Sequence, residues 1–378
     1  MHLMIFCRRL VYGGAERQFV QLTGGLRRRG HRVTVVTFYP GGPFVAPLAV
    51  TGAEIVDLGK RGRWDIIRFL ARFARTLRER RPDVLYSFLP IANIIALVAR
   101  LALPGTPIVW GARVSNLDLA PYDRLSRLTY VLERRFSRFV DLIIANSTAG
   151  ADHVIAFGCP AARVRVVVNG IDTDRFCHAA AAGSALRAEW RIDPATRLVG
   201  VVGRLDPVKD VPNFLRAAAG LIRTDDTVRF AVIGDGPAAY KAELVQLAGD
   251  LDLADRVLWI PARAQVEAVY SALDVLVSSS ASEGLPNVVA EAMACGTPVV
   301  ATAVGDSAIV VGEWGAIIPP EDPLALSDAI RMQLNRSESE RARIASGARR
   351  HIEQSFSLAQ MIERTERLLL PLVRDHEA

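Results

Sequence analysis

Short apolar runs alternate with longer amphipathic stretches along the whole chain. In the first half the apolar runs cover residues 2–6, 32–37, 54–58, 83–87, 107–110, 141–145 and 164–168. In the second half they cover 198–202, 228–233, 256–260, 274–277 and 298–301. Their length and β-branched content predict strands, and the stretches between them repeat apolar positions at helical spacing. Several runs are continuously apolar, as strands covered on both faces must be. Strands alternating with helices predict parallel sheets between helical layers, an α/β fold.

The alternation breaks at Val168-Asn169-Gly170-Ile171-Asp172, where Asn-Gly signals a turn, and an alanine-rich stretch follows at 179–182. A second strand series starts at Leu198. A chain of 378 residues suits two domains. We expect residues 1–170 to form one Rossmann-like domain and 171–355 another, facing each other across a cleft. Ligands of open parallel sheets bind beyond the carboxyl ends of the strands, so one edge would hold a donor and the other an acceptor.

Composition narrows the picture. No apolar run reaches the roughly 18 residues of a membrane span. The most apolar stretch, 91–104, carries Arg100 and reads as a buried helix. The N-terminus opens on a strand-like run, so no signal peptide and a cytoplasmic protein are expected. Cys7, Cys159, Cys177 and Cys295 are scattered, with neither CxxC spacing nor His partners, which predicts reduced thiols and no metal.

Charge is divided unevenly. Residues 1–170 hold 25 Lys plus Arg against 11 Asp plus Glu, a balance of +14; residues 171–378 hold 21 against 29, a balance of −8. The first half is therefore expected to face something anionic. In the basic segment 60–81, Trp64, Ile67, Leu70, Phe73, Ala74 and Leu77 fall at helical spacing among eight arginines. We expect this stripe to pack on the sheet while the arginines steer the domain to an anionic membrane, on its cytoplasmic face. A nucleic-acid partner is not expected, because the apolar positions between the basic residues are mainly aliphatic.

Four segments carry candidate chemistry. Gly203-Arg204-Leu205-Asp206-Pro207-Val208-Lys209-Asp210 follows a strand, with Asp210 placed to cap the next helix and Pro212 in its first turn. Arg204 and Lys209 then sit beside a helix start, where an anion is well held. The second is the run from Ser278 to Glu291, in which the Gly284-Leu285-Pro286-Asn287 turn leads into a helix that Gly296 ends. Its free N–H groups suit a diphosphate, and Glu283 and Glu291 suit vicinal hydroxyls. Gly13-Gly14-Ala15-Glu16 follows the first strand without dinucleotide spacing, and Gly234-Asp235-Gly236-Pro237 follows another. Each reads equally as a binding loop or as a plain turn.

Together these motifs resemble the family 4 retaining glycosyltransferases of the GT-B fold, from about residue 10 to residue 330. The most specific element is Glu283-x7-Glu291 within EGLPNVVAEAMACGTPVVAT. The resemblance implies that residues 356–378 supply a helix crossing back to the first domain. It implies a nucleotide-diphosphate sugar as substrate, UDP or GDP, with no cofactor and no metal. Arg204 and Lys209 would neutralise the diphosphate, with Gly14, Gly203, Gly234 and Asp235 also on the donor. Glu291 would take the ribose, Glu283 the transferred sugar, and Gly284, Leu285, Pro286 and Asn287 the distal phosphate and sugar. Gly13 and Glu16 would face the acceptor, a lipid-linked or saccharide alcohol in polysaccharide or glycolipid assembly, and Arg113, where the sequence departs from the family pattern, could bind an acceptor group or a phosphate. Many relatives carry a His after the strand 107–110; here Gly111-Ala112-Arg113 stands there. Two other functions share the architecture. A nucleotide-sugar 2-epimerase would need carboxylates and histidines converging on C2, and none are evident. A non-catalytic sugar-nucleotide-binding subunit fits poorly with intact Glu283, Glu291, Arg204 and Lys209.

Overall fold

The computed structural model describes residues 1–10, 14–62, 64–113 and 124–373, and among these thirteen strands form two sheets. The first takes β1 (His2–Cys7), β2 (Arg32–Thr37), β3 (Glu54–Asp57), β4 (Val84–Phe88), β5 (Ile108–Ala112), β6 (Leu142–Ala145) and β7 (Val164–Val166). Its order is β3-β2-β1-β4-β5-β6-β7. The second takes β8 (Arg197–Val202), β9 (Val228–Ile233), β10 (Val257–Ile260), β11 (Val275–Ser278), β12 (Val299–Thr302) and β13 (Ala316–Ile318). Its order is β10-β9-β8-β11-β12-β13, and every pairing in both sheets is parallel. β1, β4 and β11 are buried at every position, because helices cover both faces of each sheet.

The chain divides into two compact units, Met1–Gly170 with the segment from Leu358, and Ile171–Ser357. In the first unit, alternate residues of β1 feed two apolar layers. Leu3 and Ile5 pack with Leu22 and Leu26 of the helix Gly14–Arg28, and with Met361, Ile362 and Leu369 of the helix Leu358–Leu369. Met4 and Phe6 pack on the other face with Phe38, Phe69 and Phe73. The late helix is seated closely. A Cβ at Gly25 would lie 2.0 Å from Ile362 Cδ1, and Glu366 pairs with both Arg29 and His31 at 2.5 Å. In the second unit, Phe214, Leu221, Phe230, Val275 and Ile330 share one core.

Two expectations fail here. Residues 91–104 are not one buried helix; they lie in two short ones, Pro90–Ala96 and Ala99–Ala102, with Leu101 84% exposed. The basic helix, Ile66–Arg80, buries Phe69, Phe73, Thr76 and Leu77, while Trp64 and Ile67 are each 86% exposed. Apolar residues stand on both sides of this helix, so the pattern fits more than one phase, and the aromatic pair Phe69 and Phe73 takes the inward one. No described helix is long and apolar enough to cross a membrane.

Candidate functional site

In the second unit the strand order reverses between β8 and β11, and such a switch point opens a crevice beyond the strand ends. The loop after β8 passes Gly203 and Arg204 into the 3-10 turn Pro207–Lys209. The Asp206 carboxylate accepts from Val208 N–H at 3.1 Å, which closes that turn. Asp210 adopts a left-handed φ of 44° and caps the helix Val211–Ile222 by accepting from Asn213 N–H at 3.2 Å. The turn thereby aims Lys209 at the loop after β11.

The Lys209 ammonium meets Glu283 Oε1 at 2.5 Å, and Ser280 Oγ donates to the same oxygen at 2.7 Å. Ser279 Oγ donates to the Lys209 carbonyl at 2.9 Å, and Ala281 N–H donates to the Val208 carbonyl at 2.9 Å. Four bonds thus join the two loops or orient the carboxylate. Thr302 Oγ1, at the end of β12, donates to the Ser280 carbonyl at 2.6 Å. Gly305 has a φ of 53°, and a Cβ there would lie 2.1 Å from the Glu283 carbonyl oxygen. Asp306 N–H donates to the Gly284 carbonyl at 2.9 Å. Arg204 is 73% exposed and its guanidinium pairs with Asp206 at 2.7 Å, so it stands at the mouth of the crevice.

Gly203, Arg204, Lys209, Ser279, Ser280 and Val288 line a pocket at these strand ends. The helix Asn287–Ala294 begins beside it after Gly284, Leu285 and Pro286, and no side chain caps it. Gly234 has a φ of 147°, and a Cβ there would lie 1.8 Å from the Gly203 oxygen; one at Gly236 would lie 2.2 Å from the Leu205 oxygen. These glycines let the loop after β9 lie against the loop after β8. The Asp235 carboxylate accepts from Ala262 N–H at 3.1 Å. Glu291 is 2% exposed and accepts from the Tyr270 hydroxyl at 2.7 Å; it is not part of the pocket lining. The geometry therefore gathers Gly203, Arg204, Lys209 and Glu283, whereas Glu291 and Asp235 are engaged with protein groups. Sequence reasoning included Ser279 and Ser280 in the run from Ser278 without giving them a role, and missed Tyr270, Thr302 and Gly305. The serine run at 278–280 and the Gly-Asp pair after β12 were the available signals.

In the first unit, Gly14 opens the helix Gly14–Arg28 and Glu16 lies in its first turn; Gly13 lies outside the described residues. Burial pushes the Glu16 carboxyl above its usual range. With Cys7, Arg8, Arg9, Phe19, Phe88 and Leu89 it lines a pocket where β1 and β4 end. Leu89 has a φ of 74°, a strained value for a residue with a side chain. Arg113, after β5, stacks over the Phe88 ring at 5.0 Å and donates to Asn169 Oδ1 at 2.8 Å. Nearby, burial pushes the Glu133 carboxyl up to about 7, despite an Asn93 amide donating to it at 2.6 Å. Among the described residues, no three His, Cys, Asp or Glu side chains converge as metal ligands would.

Two parallel α/β sheets, the second with a cationic pocket at its switch point whose Lys209 is paired with Glu283, define the architecture of GT-B glycosyltransferases. Residues 196–336 match the family described as glycosyl transferases group 1, and residues 12–175 match Glycosyltransferase Family 4. The chain belongs to family 4 of the glycosyltransferases. It is 31% identical over 378 residues to the D-inositol 3-phosphate glycosyltransferase of Mycolicibacterium smegmatis, covering 93% of this chain and 84% of that protein. Its match to the enzyme of the same name from Salinispora tropica is 34% identical over 269 residues, 65% of this chain. That match spans 55% of the S. tropica protein, little more than half its length. Among solved structures, Anabaena Alr3699/HepE in complex with UDP-glucose has the same fold, with a TM-score of 0.85 at 24% identity over 98% of this chain and 100% of that one.

Proposed function

We propose that the protein is a retaining, metal-independent glycosyltransferase. It takes a sugar from a nucleotide-diphosphate donor to a hydroxyl of a saccharide or lipid-linked acceptor, in polysaccharide or glycolipid assembly. The observation that carries this reading is the Lys209–Glu283–Ser280 cluster beside Arg204 at the ends of β8 and β11. In this reading Arg204 and Lys209 bind the diphosphate and stabilise the charge that grows on it as it leaves. Family membership and the UDP-glucose bound to Alr3699/HepE support the donor class.

Glu283 Oε1 already accepts from Lys209 and Ser280. A carboxylate so engaged is a hydrogen-bonding group for sugar hydroxyls rather than a free nucleophile. The sugar C1–phosphate oxygen bond then breaks on the face where the C1–acceptor oxygen bond forms. The acceptor proton passes to the departing phosphate oxygen. The anomeric configuration is retained without a covalent sugar–enzyme ester.

A thermal-shift panel of nucleoside diphosphates and nucleotide sugars identifies the donor, since a ligand that binds only the folded state raises the melting temperature. NMR coupling constants of the product from an α-linked donor should then report an α linkage. A β linkage refutes retention, and a sugar ester on Glu283 seen by mass spectrometry refutes the single-step route.

A further inference from the structure

The pocket of the second unit neutralises its own cations. Arg204 is paired with Asp206 at 2.7 Å and Lys209 with Glu283 at 2.5 Å. The pocket of the first unit does not. Arg8 and Arg9 both line it, and among the described residues neither guanidinium has a carboxylate within ion-pair distance. Glu16, the acid in the same lining, pairs with neither of them, and burial favours its uncharged form.

Neighbouring residues of a strand point to opposite faces, so adjacent arginines reach one pocket only where the chain leaves the strand pattern. It does so after Cys7, where β1 ends and Arg8 makes a bend. Arg9 is held by its flat face, 4.5 Å from the centre of the Tyr39 ring. Such stacking leaves the N–H edge of a guanidinium open to a second partner. Arg8 is exposed and has no hydrogen-bond partner or ring contact among the described residues. Phe19, Phe88 and Leu89 supply an apolar wall, beside which a charge–charge attraction is stronger than in open water. The cavity, about 350 Å³, falls within the size range of small-molecule sites. Two uncompensated guanidinium groups in one such cavity repel each other, and a bound oxyanion offsets that cost.

We propose that Arg8 and Arg9 hold an anionic group of the acceptor, a carboxylate or a phosphate on the saccharide, so that the enzyme acts on an acidic acceptor. This rests on the reading of the protein as a glycosyltransferase whose first unit takes the acceptor. A neutral acceptor would displace water from both guanidinium groups without replacing its hydrogen bonds, so the pocket selects acceptors by charge.

Modification of the full chain by phenylglyoxal, an arginine reagent, tests this when read residue by residue by mass spectrometry. The probes are glucuronate, glucose 6-phosphate and glucose, each with and without saturating UDP or GDP. A charged sugar should slow modification of Arg8 and Arg9 and glucose should not; which of the two protects identifies the anion. UDP or GDP should protect Arg204 and leave Arg8 and Arg9 reactive. Arg8→Ala should raise the Kd of the protecting sugar about tenfold or more, and Arg8→Lys less, with nucleoside diphosphate affinity unchanged. Arg9→Ala also gives up the Tyr39 contact, so if it lowers the melting temperature, Arg8→Ala decides alone. Full reactivity of both arginines in the presence of either charged sugar overturns the proposal. Equal protection by glucose overturns it too, as does protection by UDP or GDP alone, which would give these arginines to the donor. Arg204 left reactive by both nucleotides counts against the glycosyltransferase reading itself, and the anion site is then judged by the sugar probes alone.

Discussion

The two sheets share one strand order, so β1, β4 and β5 occupy in the first unit the places of β8, β11 and β12 in the second. The loops leaving those strands are built differently. In the second unit they are cross-braced: Lys209 to Glu283, Ser279 to the Lys209 carbonyl, Thr302 to the Ser280 carbonyl, and the Gly305 backbone against Glu283. In the first unit they line a pocket with Arg8, Arg9, Glu16, Phe88 and the strained Leu89, with Arg113 stacked on Phe88. One topology therefore carries two kinds of edge. A braced edge suits a ligand group of fixed geometry, such as a diphosphate. The first unit's edge is rich in arginine, and among the described residues Asn93 ties it to the Gly111 carbonyl and to Glu133 while Arg113 is tied to Asn169; side chains on such an edge can differ while the sheet stays the same.

Breaking the brace should have the largest effect. Glu283→Ala is expected to lower kcat/KM by about a hundredfold to a thousandfold, and Glu283→Gln by much less, since the amide oxygen still accepts from Lys209 and Ser280. Steady-state kinetics on both variants check this; equal losses would mean the negative charge, not the bonding pattern, matters.

Glycine substitution compares loop with loop. At Gly234, with its φ of 147° and a Cβ position 1.8 Å from the Gly203 oxygen, alanine should cost about 2–4 kcal/mol in denaturant unfolding. At Gly30 of the first unit, φ is 85° with nothing within 4 Å, and alanine should cost only about 1 kcal/mol. Similar losses at both would remove the close approach of the two loops as the cause.

Titration calorimetry separates the two edges by ligand. Arg204→Ala or Lys209→Ala should weaken nucleoside diphosphate binding by about 1.5–3 kcal/mol, while Arg113→Ala should leave it unchanged and raise the acceptor KM. A nucleotide affinity that falls with Arg113→Ala contradicts the division.

Glu133 offers a pH test confined to the first unit. Its folded pKa of about 7 exceeds the ordinary 4.5, so the folded state keeps a proton that the unfolded chain has lost. Stability therefore falls as pH rises from about 4.5 through about 7. Glu133→Gln keeps the Asn93 bond and removes the titration. It should gain about 1–3 kcal/mol over wild type at about pH 8 and nothing at about pH 4. A constant difference across that range would rule out the linkage. The smallest expected effect is none at all: turnover in EDTA should equal turnover without it.

Much of this was legible in the sequence because buried parallel strands write themselves as apolar runs. The runs at 2–6, 228–233 and 274–277 fall on β1, β9 and β11. β13 was missed, because Ala316–Ile318 is too short to stand out between Gly315 and Pro319. Trp64 and Ile67 were misplaced, because apolar residues on both sides of a helix leave its phase open until a sheet selects one. In the site, Arg204, Lys209 and Glu283 were found from local spacing. Tyr270, Thr302 and Gly305 were not, because their roles depend on which strands become neighbours. The two acids of the Glu-x7-Glu motif differ in sequence context, one in the loop and one in the apolar run 288–294, and in the structure Glu283 is at the loop contact and Glu291 is buried against Tyr270.

The helix Leu358–Leu369 gives the chain a consequence in time. The second unit is one unbroken segment, and its last residue precedes that helix. The first unit takes Met361, Ile362 and Leu369 into the layer that covers Leu3 and Ile5. A ribosome makes the beginning of the chain first, but that beginning lacks part of its own cover until the end is made. The half encoded later can therefore finish folding earlier. The Ile362 side chain and its notch at Gly25 meet last, so loss of the helix Leu358–Leu369 strips the opening sheet, not the half that immediately precedes that helix.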